Sequence, residues 1–434
     1  RSAGWRADGG LKRFRDRRVE QLDGRNCPNP RKERQSLCHK TTRQPQQARA
    51  SHEQQYDDIR AGVKRLCDSF PGAYWRDKDE QRSYPVEFVE ALTAAGYLSV
   101  MIPEVYGGAG LPLGAACAIL EEIHRSGCNG GACHAQMYTM GTLLRHGSEA
   151  QKQRYLPEVA SGALRLQAFG VTEPNSGTDT TRIRTHAVQD GDDYVVNGQK
   201  IWISRAEHSD LLVLLVRTTP REDCAKRSDG MSVLLVDMRT AVGRGLTIKP
   251  IKTMMNHGAT ELFFDDLRVP MANRIGEEGK GFRYILDGMN AERILIAAEC
   301  IGDAKYFVEA SAKYASEREV FGAPIAKNQG VQFPIARAHI QAQAAAGMVR
   351  RAIDLFEAGE SCGSEANMAK LLASEASWAA GDTCIQTFGG AGFATDYDIE
   401  RKFRETRLYQ VAPISTNLIL SHVATHDLGM PKSF

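Results

Sequence analysis

Long apolar runs are missing from this sequence. Nothing in its 434 residues approaches the ~20 consecutive apolar residues that a membrane-spanning helix needs. Neither a transmembrane helix nor the apolar core of a secretory signal is therefore expected. The ten cysteines are scattered and form no CxxC pair. Cys128 and Cys133 come closest, and no histidine pair at ligand spacing stands near them. That argues against a structural metal, none being expected, and for a reduced intracellular protein, in the bacterial cytoplasm or, as the alternative, the mitochondrial matrix. Net charge is nearly missing too, at +2.

That small net charge hides an asymmetry. Residues 1–50 hold 14 Lys+Arg against 5 Asp+Glu, which leaves 41 against 48 for the rest. The body is mildly acidic and does not suit nucleic acid as a partner. The basic segment, with one Trp and one Phe, has too little to bury and is expected to be disordered. It is Arg-rich like a mitochondrial transit peptide, but its acidic residues and scarcity of serine count against that reading. The first methionine is Met101, so an upstream extension or a truncated start explains residues 1–50 at least as well as a functional arm.

Three composition regimes follow. Residues 51–165 carry apolar residues at i, i+3, i+4 spacing, in DDIRAGVKRLCDSF, PVEFVEALTAAGY and LGAACAILEEIHRSG, and read as a helical domain. Residues 166–280 switch to strand patterns such as DLLVLLVRT, MSVLLVDM and ELFFDDLRV, as in a β-barrel or sandwich. Asn197-Gly198, between two β-like runs, predicts a hairpin turn. Residues 281–434 return to long helical patterns in four segments, as in an antiparallel four-helix bundle. The fold class expected is mainly α with a β-barrel middle domain.

Two glycine clusters do not serve as nucleotide loops. Gly389-Gly390-Ala391-Gly392 follows a helix rather than a strand, and Gly276–Gly281 lacks the P-loop hydroxyl and spacing. Two other stretches are richer. Val171-Thr172-Glu173-Pro174-Asn175-Ser176-Gly177-Thr178-Asp179 strings hydroxyl, amide and glycine positions around a turn, suited to offering N–H groups to an anion or polar ring edge. Some thirty residues on, Lys200-Ile201-Trp202-Ile203-Ser204 puts an indole near a strand end. Taken alone, each would be an ordinary turn or a core Trp.

In this order between two helical regions, they resemble the acyl-CoA dehydrogenase family over residues 55–434. Met101–Gly108 (MIPEVYGG), Arg318–Gly322 (REVFG) with Gln329, and Gln386–Gly390 (QTFGG) are similar to further family motifs. The resemblance implies FAD between barrel and bundle, in a homotetramer or dimer. Phe169, Val171, Thr172 and Thr178 would then meet the cofactor on one side, with Trp202, Ile203 and Ser204 flanking the flavin. Arg318, Phe321, Gln329, Gln386, Phe388, Gly389 and Gly390 would hold the FAD of a partner chain, while Thr416 and Asn417 complete the set. Thr178, Asn290 and Arg293 would touch substrate.

The resemblance also implies a carboxylate base that strips the α-proton of an acyl-CoA thioester. In most members it lies in a YEGT-like stretch. Here that stretch reads Tyr409-Gln410-Val411-Ala412-Pro413, and Pro413 stands where the glutamate would. Proline also has no N–H to offer a thioester oxygen. Other members, resembling isovaleryl-CoA dehydrogenase, carry the base on the first bundle helix, and Glu292 in MNAER matches that position. Its helical neighbours Met289, Leu295 and Ile296 are apolar, so desolvation should raise its pKa. Without the resemblance, Glu292 would read as one half of an ion pair or a solvated charge. Glu299 is a competitor on a similar face.

The function expected is α,β-dehydrogenation of an acyl-CoA, with electrons passed to an electron-transferring flavoprotein. A flavin-dependent monooxygenase or oxidase is the alternative, and a nucleic-acid-associated flavoprotein the third reading.

Overall fold

The structure is a computed structural model that describes residues 56–432; the basic segment 1–50 lies outside the described residues. The first layer is helical: α1 (Asp57–Cys67), α2 (Gly72–Glu80), α3 (Val86–Ala94), α4 (Leu113–Arg125), α5 (His134–His146) and α6 (Glu149–Ser161). α6 is delimited by its local chemistry. The Ser148 hydroxyl accepts from the Gln151 N–H while the Gln151 side chain accepts from the Ser148 N–H, and Gly162 stops the helix at φ 81°.

The middle region is one mixed sheet of eight strands. They are β1 (Leu166–Gly170), β2 (His186–Asp190), β3 (Asp193–Ser204), β4 (Leu211–Arg217), β5 (Met231–Asp237), β6 (Leu246–Ile251), β7 (Ala259–Pro270) and β8 (Arg274–Ile275). The hydrogen-bonded order is β6-β7-β3-β2-β4-β5-β8, and β1 joins β4 in parallel. The continuous apolar runs of β4 and β5 follow from burial on both faces. Leu211, Val213 and Leu215 pack into the core shared with the helices, while Leu212, Leu214 and Val216 face the sheet's own core.

The expected turn at Asn197-Gly198 is not there. β3 runs unbroken from Asp193 to Ser204, and its turn to β2 lies at Gly191-Asp192, with Gly191 at φ 63°. Asn197-Gly198 forms a bulge against β7 instead. The Asn197 side chain exchanges two hydrogen bonds of 2.9 Å with Asp266. A Cβ on Gly198 would come within 2.6 Å of Thr185 Cα, so the glycine serves close strand packing.

The third layer is built on three long helices, α7 (Gly281–Glu317), α8 (Gln329–Glu357) and α9 (Gly363–Phe388). A short hairpin, Glu319–Val320 with Ala323–Pro324, links the first two. Alanines at alternating three- and four-residue spacing make the contact faces: Ala338, Ala342 and Ala345 on α8, Ala366, Ala369, Ala373, Ala376 and Ala380 on α9. The expected fourth segment is a short helix, α11 (Thr416–His422), running into a π-helical turn, and α10 (Ile399–Thr406) precedes it. Among the described residues, no helix is long and apolar enough to cross a membrane. The eight described cysteines are free thiols.

Candidate active site

α7 is buried through its middle, from Ala291 to Ala304, where Leu295 is inaccessible and Ile296 is 5% exposed. Glu292 shares that burial at 7% exposure. Among the described residues it makes no hydrogen bond or ion pair, and Arg293 turns instead to Asn290, its Nη1 donating to Oδ1 at 3.0 Å. Burial pushes the Glu292 carboxyl up to about 7, with Arg293 and His134 pulling partly the other way.

The other carboxylates on this face are handled differently. Glu299 Oε1 stands 2.7 Å from His134 Nδ1, and Asp303 Oδ1 stands 2.9 Å from His124 Nδ1 and 2.5 Å from Lys402 Nζ. Lys402 and Arg401 on α10 also reach Glu405. Burial works against ionised Glu299 and Asp303, but these partners outweigh it, and both pKa values fall. Glu299 is therefore a committed member of an ion network and a poor base. The charges on α10 and the histidines on α4 and α5 were not singled out in the sequence, because their contacts cross three elements.

The two richer sequence motifs prove to be one assembly. Val171 and Thr172 leave the end of β1, where the Thr172 carbonyl accepts from the Ile201 N–H at 2.9 Å. Inaccessible Lys200 donates to the Val171 carbonyl at 3.0 Å and to Glu173 at 2.8 Å. Glu173 in turn accepts from the N–H groups of Arg184 and Thr185. Burial brings Lys200 down to about 8, with Glu173 opposing. Lys200 and Glu173 lie within the quoted motifs, yet their role as a clamp emerged only from the fold.

The clamp leaves Trp202 in a register break between β3 and β7, at φ 63° and 57% exposed. Ile203 beside it is buried, and Ser204 Oγ lies 2.6 Å from His257 Nε2. Burial, then Arg205 and His134, hold His257 down to about 3, so its ring is neutral. Phe169 on β1 packs edge-on against Tyr138 of α5 at 6.2 Å. Thr178 is exposed on the same loop as Val171.

Other expected site residues lie elsewhere. Arg318, Phe321 and Gln329 are exposed beyond the far end of α7. Phe388, at the end of α9, stacks on Tyr314 in the last turns of α7 at 4.0 Å, which brings Gln386, Gly389 and Gly390 to that same end. Thr416 and Asn417 open α11, just after a loop in which Lys370 Nζ donates to the Ile414 carbonyl at 2.7 Å. Pro413 lies in that loop.

A cleft of about 430 Å³, lined in part by Arg182, Arg184, His186, Arg217 and Arg221, opens on the sheet. The Arg217 guanidinium is taken up by the carbonyls of Thr181, Ile183 and Asp229. Arg182, Arg184 and Arg221 have no ion-pair partner among the described residues. The run Thr181-Arg182-Ile183-Arg184-Thr185-His186 was the signal available in the sequence.

Three family models match in succession: acyl-CoA dehydrogenase N-terminal domain over residues 53–163, middle domain over 168–267 and C-terminal domain over 279–424. An acyl-CoA dehydrogenase of Bacillus subtilis (strain 168) is 35% identical over 346 residues, covering 79% of this chain and 89% of that protein. A glutaryl-coenzyme A dehydrogenase solved with glutaryl-CoA has a TM-score of 0.81 at 28% identity, covering 87% of this chain and 96% of that one. The prolyl acyl carrier protein oxidase AnaB also has a TM-score of 0.81, at 25% identity, with 87% and 99% covered. With all three domain models matched in order, the chain belongs to the acyl-CoA dehydrogenase family.

Proposed function

We propose that this chain removes hydrogen from the α and β carbons of an acyl-CoA thioester, yielding a trans-2-enoyl-CoA, with Glu292 as the base for the α-proton. The observation that carries this is an unpartnered carboxylate, nine-tenths buried and held near neutrality by desolvation. A C–H beside a thioester is a weak acid, and proton removal from it is most efficient with a base whose pKa lies close to working pH. A base on the opening helix of the bundle aligns the chain with the subgroup resembling isovaleryl-CoA dehydrogenase.

FAD is the cofactor of this family, and when bound it supplies the acceptor, flavin N5, for the β-hydrogen as hydride. The residues present fit it. Phe169, Val171 and Thr172 are tied by the Lys200 clamp to the bulge that presents Trp202, Ile203 and Ser204. Thr416 and Asn417 offer their polar groups from the start of α11. Arg318 lies roughly 39 Å along α7 from Glu292, at 1.5 Å per residue. That span suits Arg318, Phe321, Gln329, Gln386, Phe388, Gly389 and Gly390 to the cofactor of a second copy, in a homotetramer. The exposed ring of Phe321 and the guanidinium of Arg318, which has no side-chain partner among the described residues, support this reading.

Arg182, Arg184 and Arg221 in the cationic cleft suit the phosphates of coenzyme A, with Thr178, Asn290 and Arg293 nearer the thioester. Pro413 withholds the usual backbone donor, so the thioester oxygen is polarised from elsewhere. Electrons leave to an electron-transferring flavoprotein. The test is anaerobic mixing of the yellow holoprotein with a panel of acyl-CoAs. Bleaching is expected with at least one, and a flavin that stays yellow with all of them overturns the proposal. An oxidase is the second reading, favoured by the likeness to AnaB and by Pro413. Rapid reoxidation by oxygen after bleaching would select it.

A further inference from the structure

Two polar groups beside Glu292 are left unused by that mechanism, His134 and Tyr138 of α5. His134 is 5% exposed and is braced by Glu299 through Nδ1 at 2.7 Å. Its other nitrogen makes no hydrogen bond among the described residues. Tyr138 follows one turn later, its ring 5.8 Å from that of His134 and 6.2 Å from that of Phe169. Its hydroxyl is likewise unpartnered among the described residues.

Both side chains feel the charge of Glu292 as well as that of Glu299. The three polar tips therefore gather where α5, β1 and α7 meet. These tips are unpartnered, and a wall meant for plain hydrocarbon would carry leucine or phenylalanine here. The ring's protonation narrows the chemistry. Burial opposes the imidazolium, but Glu299 and then Glu292 outweigh it and raise the pKa. With Nδ1 committed to the Glu299 carboxylate at 2.7 Å, the ring in its protonated form turns an Nε2–H donor, and Tyr138 its O–H, toward whatever occupies this space. An anionic acyl group is disfavoured, because two carboxylates face the same space. Arg205 opposes this, but its effect on His134 ranks below those of Glu299 and Glu292.

We propose that His134, braced by Glu299 and assisted by Tyr138, is a specificity-determining residue that selects acyl groups bearing a neutral oxygen acceptor over plain hydrocarbon chains. The inference rests on Glu292 being the base. Glu292 and Glu299 stand about 10 Å apart along α7, so the oxygen belongs several bonds beyond the reacting carbons.

The experiment uses the holoenzyme and length-matched acyl-CoAs in which one methylene is replaced by an ether oxygen, moved stepwise along the chain. One position should raise kcat/KM by about ten- to a hundredfold over the hydrocarbon parent, mainly through KM. A double variant, His134→Leu with Glu299→Leu, strands no carboxylate and should bring that analogue down to the level of its parent. His134→Gln, which keeps a donor, should recover part of the preference, and Tyr138→Phe should lose part of it. Wild-type enzyme that handles the parents as well as every oxygen analogue overturns the inference. So does a preference that survives in the double variant. If that variant fails to hold flavin, the wild-type series and Tyr138→Phe decide. Equal bleaching by both series sinks this inference alone, whereas no bleaching by any thioester sinks the proposed function with it.

Discussion

Glu292 and Glu299 sit two turns apart on α7, both withdrawn from water, and their acidities move in opposite directions. Glu292 is buried without a hydrogen-bond or ion-pair partner among the described residues and is pushed up to about 7. Glu299 belongs to a network that runs through His134, His124, Asp303 and Lys402 to α10. Burial is common to both and cannot explain the difference. The partners decide it, since a buried carboxylate stays ionised only where opposite charge and hydrogen bonds replace its water. One stretch of the helix is thereby prepared to exchange a proton, and the next to hold the helical layers together.

Removing Glu292 breaks the comparison most sharply. Glu292→Gln should keep the yellow flavin yet slow bleaching by an acyl-CoA by ~10² to 10⁴, as read by anaerobic stopped flow. In the unmodified chain, bleaching should rise with pH through about 7 as the carboxyl ionises. The same substitution should stabilise the fold above that pH. Between 4.5 and about 7 the folded chain retains a proton that the unfolded chain releases, so stability falls as pH rises through this window. Glutamine removes that loss, worth about 3 kcal/mol at pH 8 and nothing below pH 4, and denaturant melts at the two pH values would measure it. Glu299 works the other way: its depressed pKa stabilises the fold above the unfolded value, and that contribution is lost as pH falls.

Lys402→Met should have the next largest effect. It takes the buried lysine away from Asp303, which keeps only His124, and should cost about 3 kcal/mol of stability, visible as a lower Tm. If the melt does not move, the Lys402–Asp303 pair is not what ties α10 to α7. Arg184→Ala should be milder, raising KM for acyl-CoA by a few- to tenfold, about 1 kcal/mol, with kcat unchanged. A variant with unaltered KM would remove Arg184 from the phosphate site.

How much of this was legible in the sequence depended on the range over which each feature is specified. The strands β4 and β5 were plain as apolar runs, and α7 was plain from its periodicity. Asn197-Gly198 misled, because the same dipeptide that makes a hairpin also makes a bulge. The choice was set by Thr185 packing on the glycine and by Asp266 on another strand. The arginines of the cleft were missed because solvated charges carry no local signature of function, and only the fold joins Arg182 and Arg184 to Arg221 across the sheet. The basic segment 1–50, expected to be disordered, lies outside the described residues.

By itself, the sequence determined the family, the helix–sheet–helix order and two candidate carboxylates, Glu292 and Glu299, on an apolar helix face, because periodicity and short motifs are properties of neighbours along the chain. Only the tertiary structure decided which buried acid is free and which is paired. The groups that set a pKa reach Glu299 and Asp303 from α4, α5 and α10, and electrostatic energy depends on distance in space, with no regard for separation along the chain.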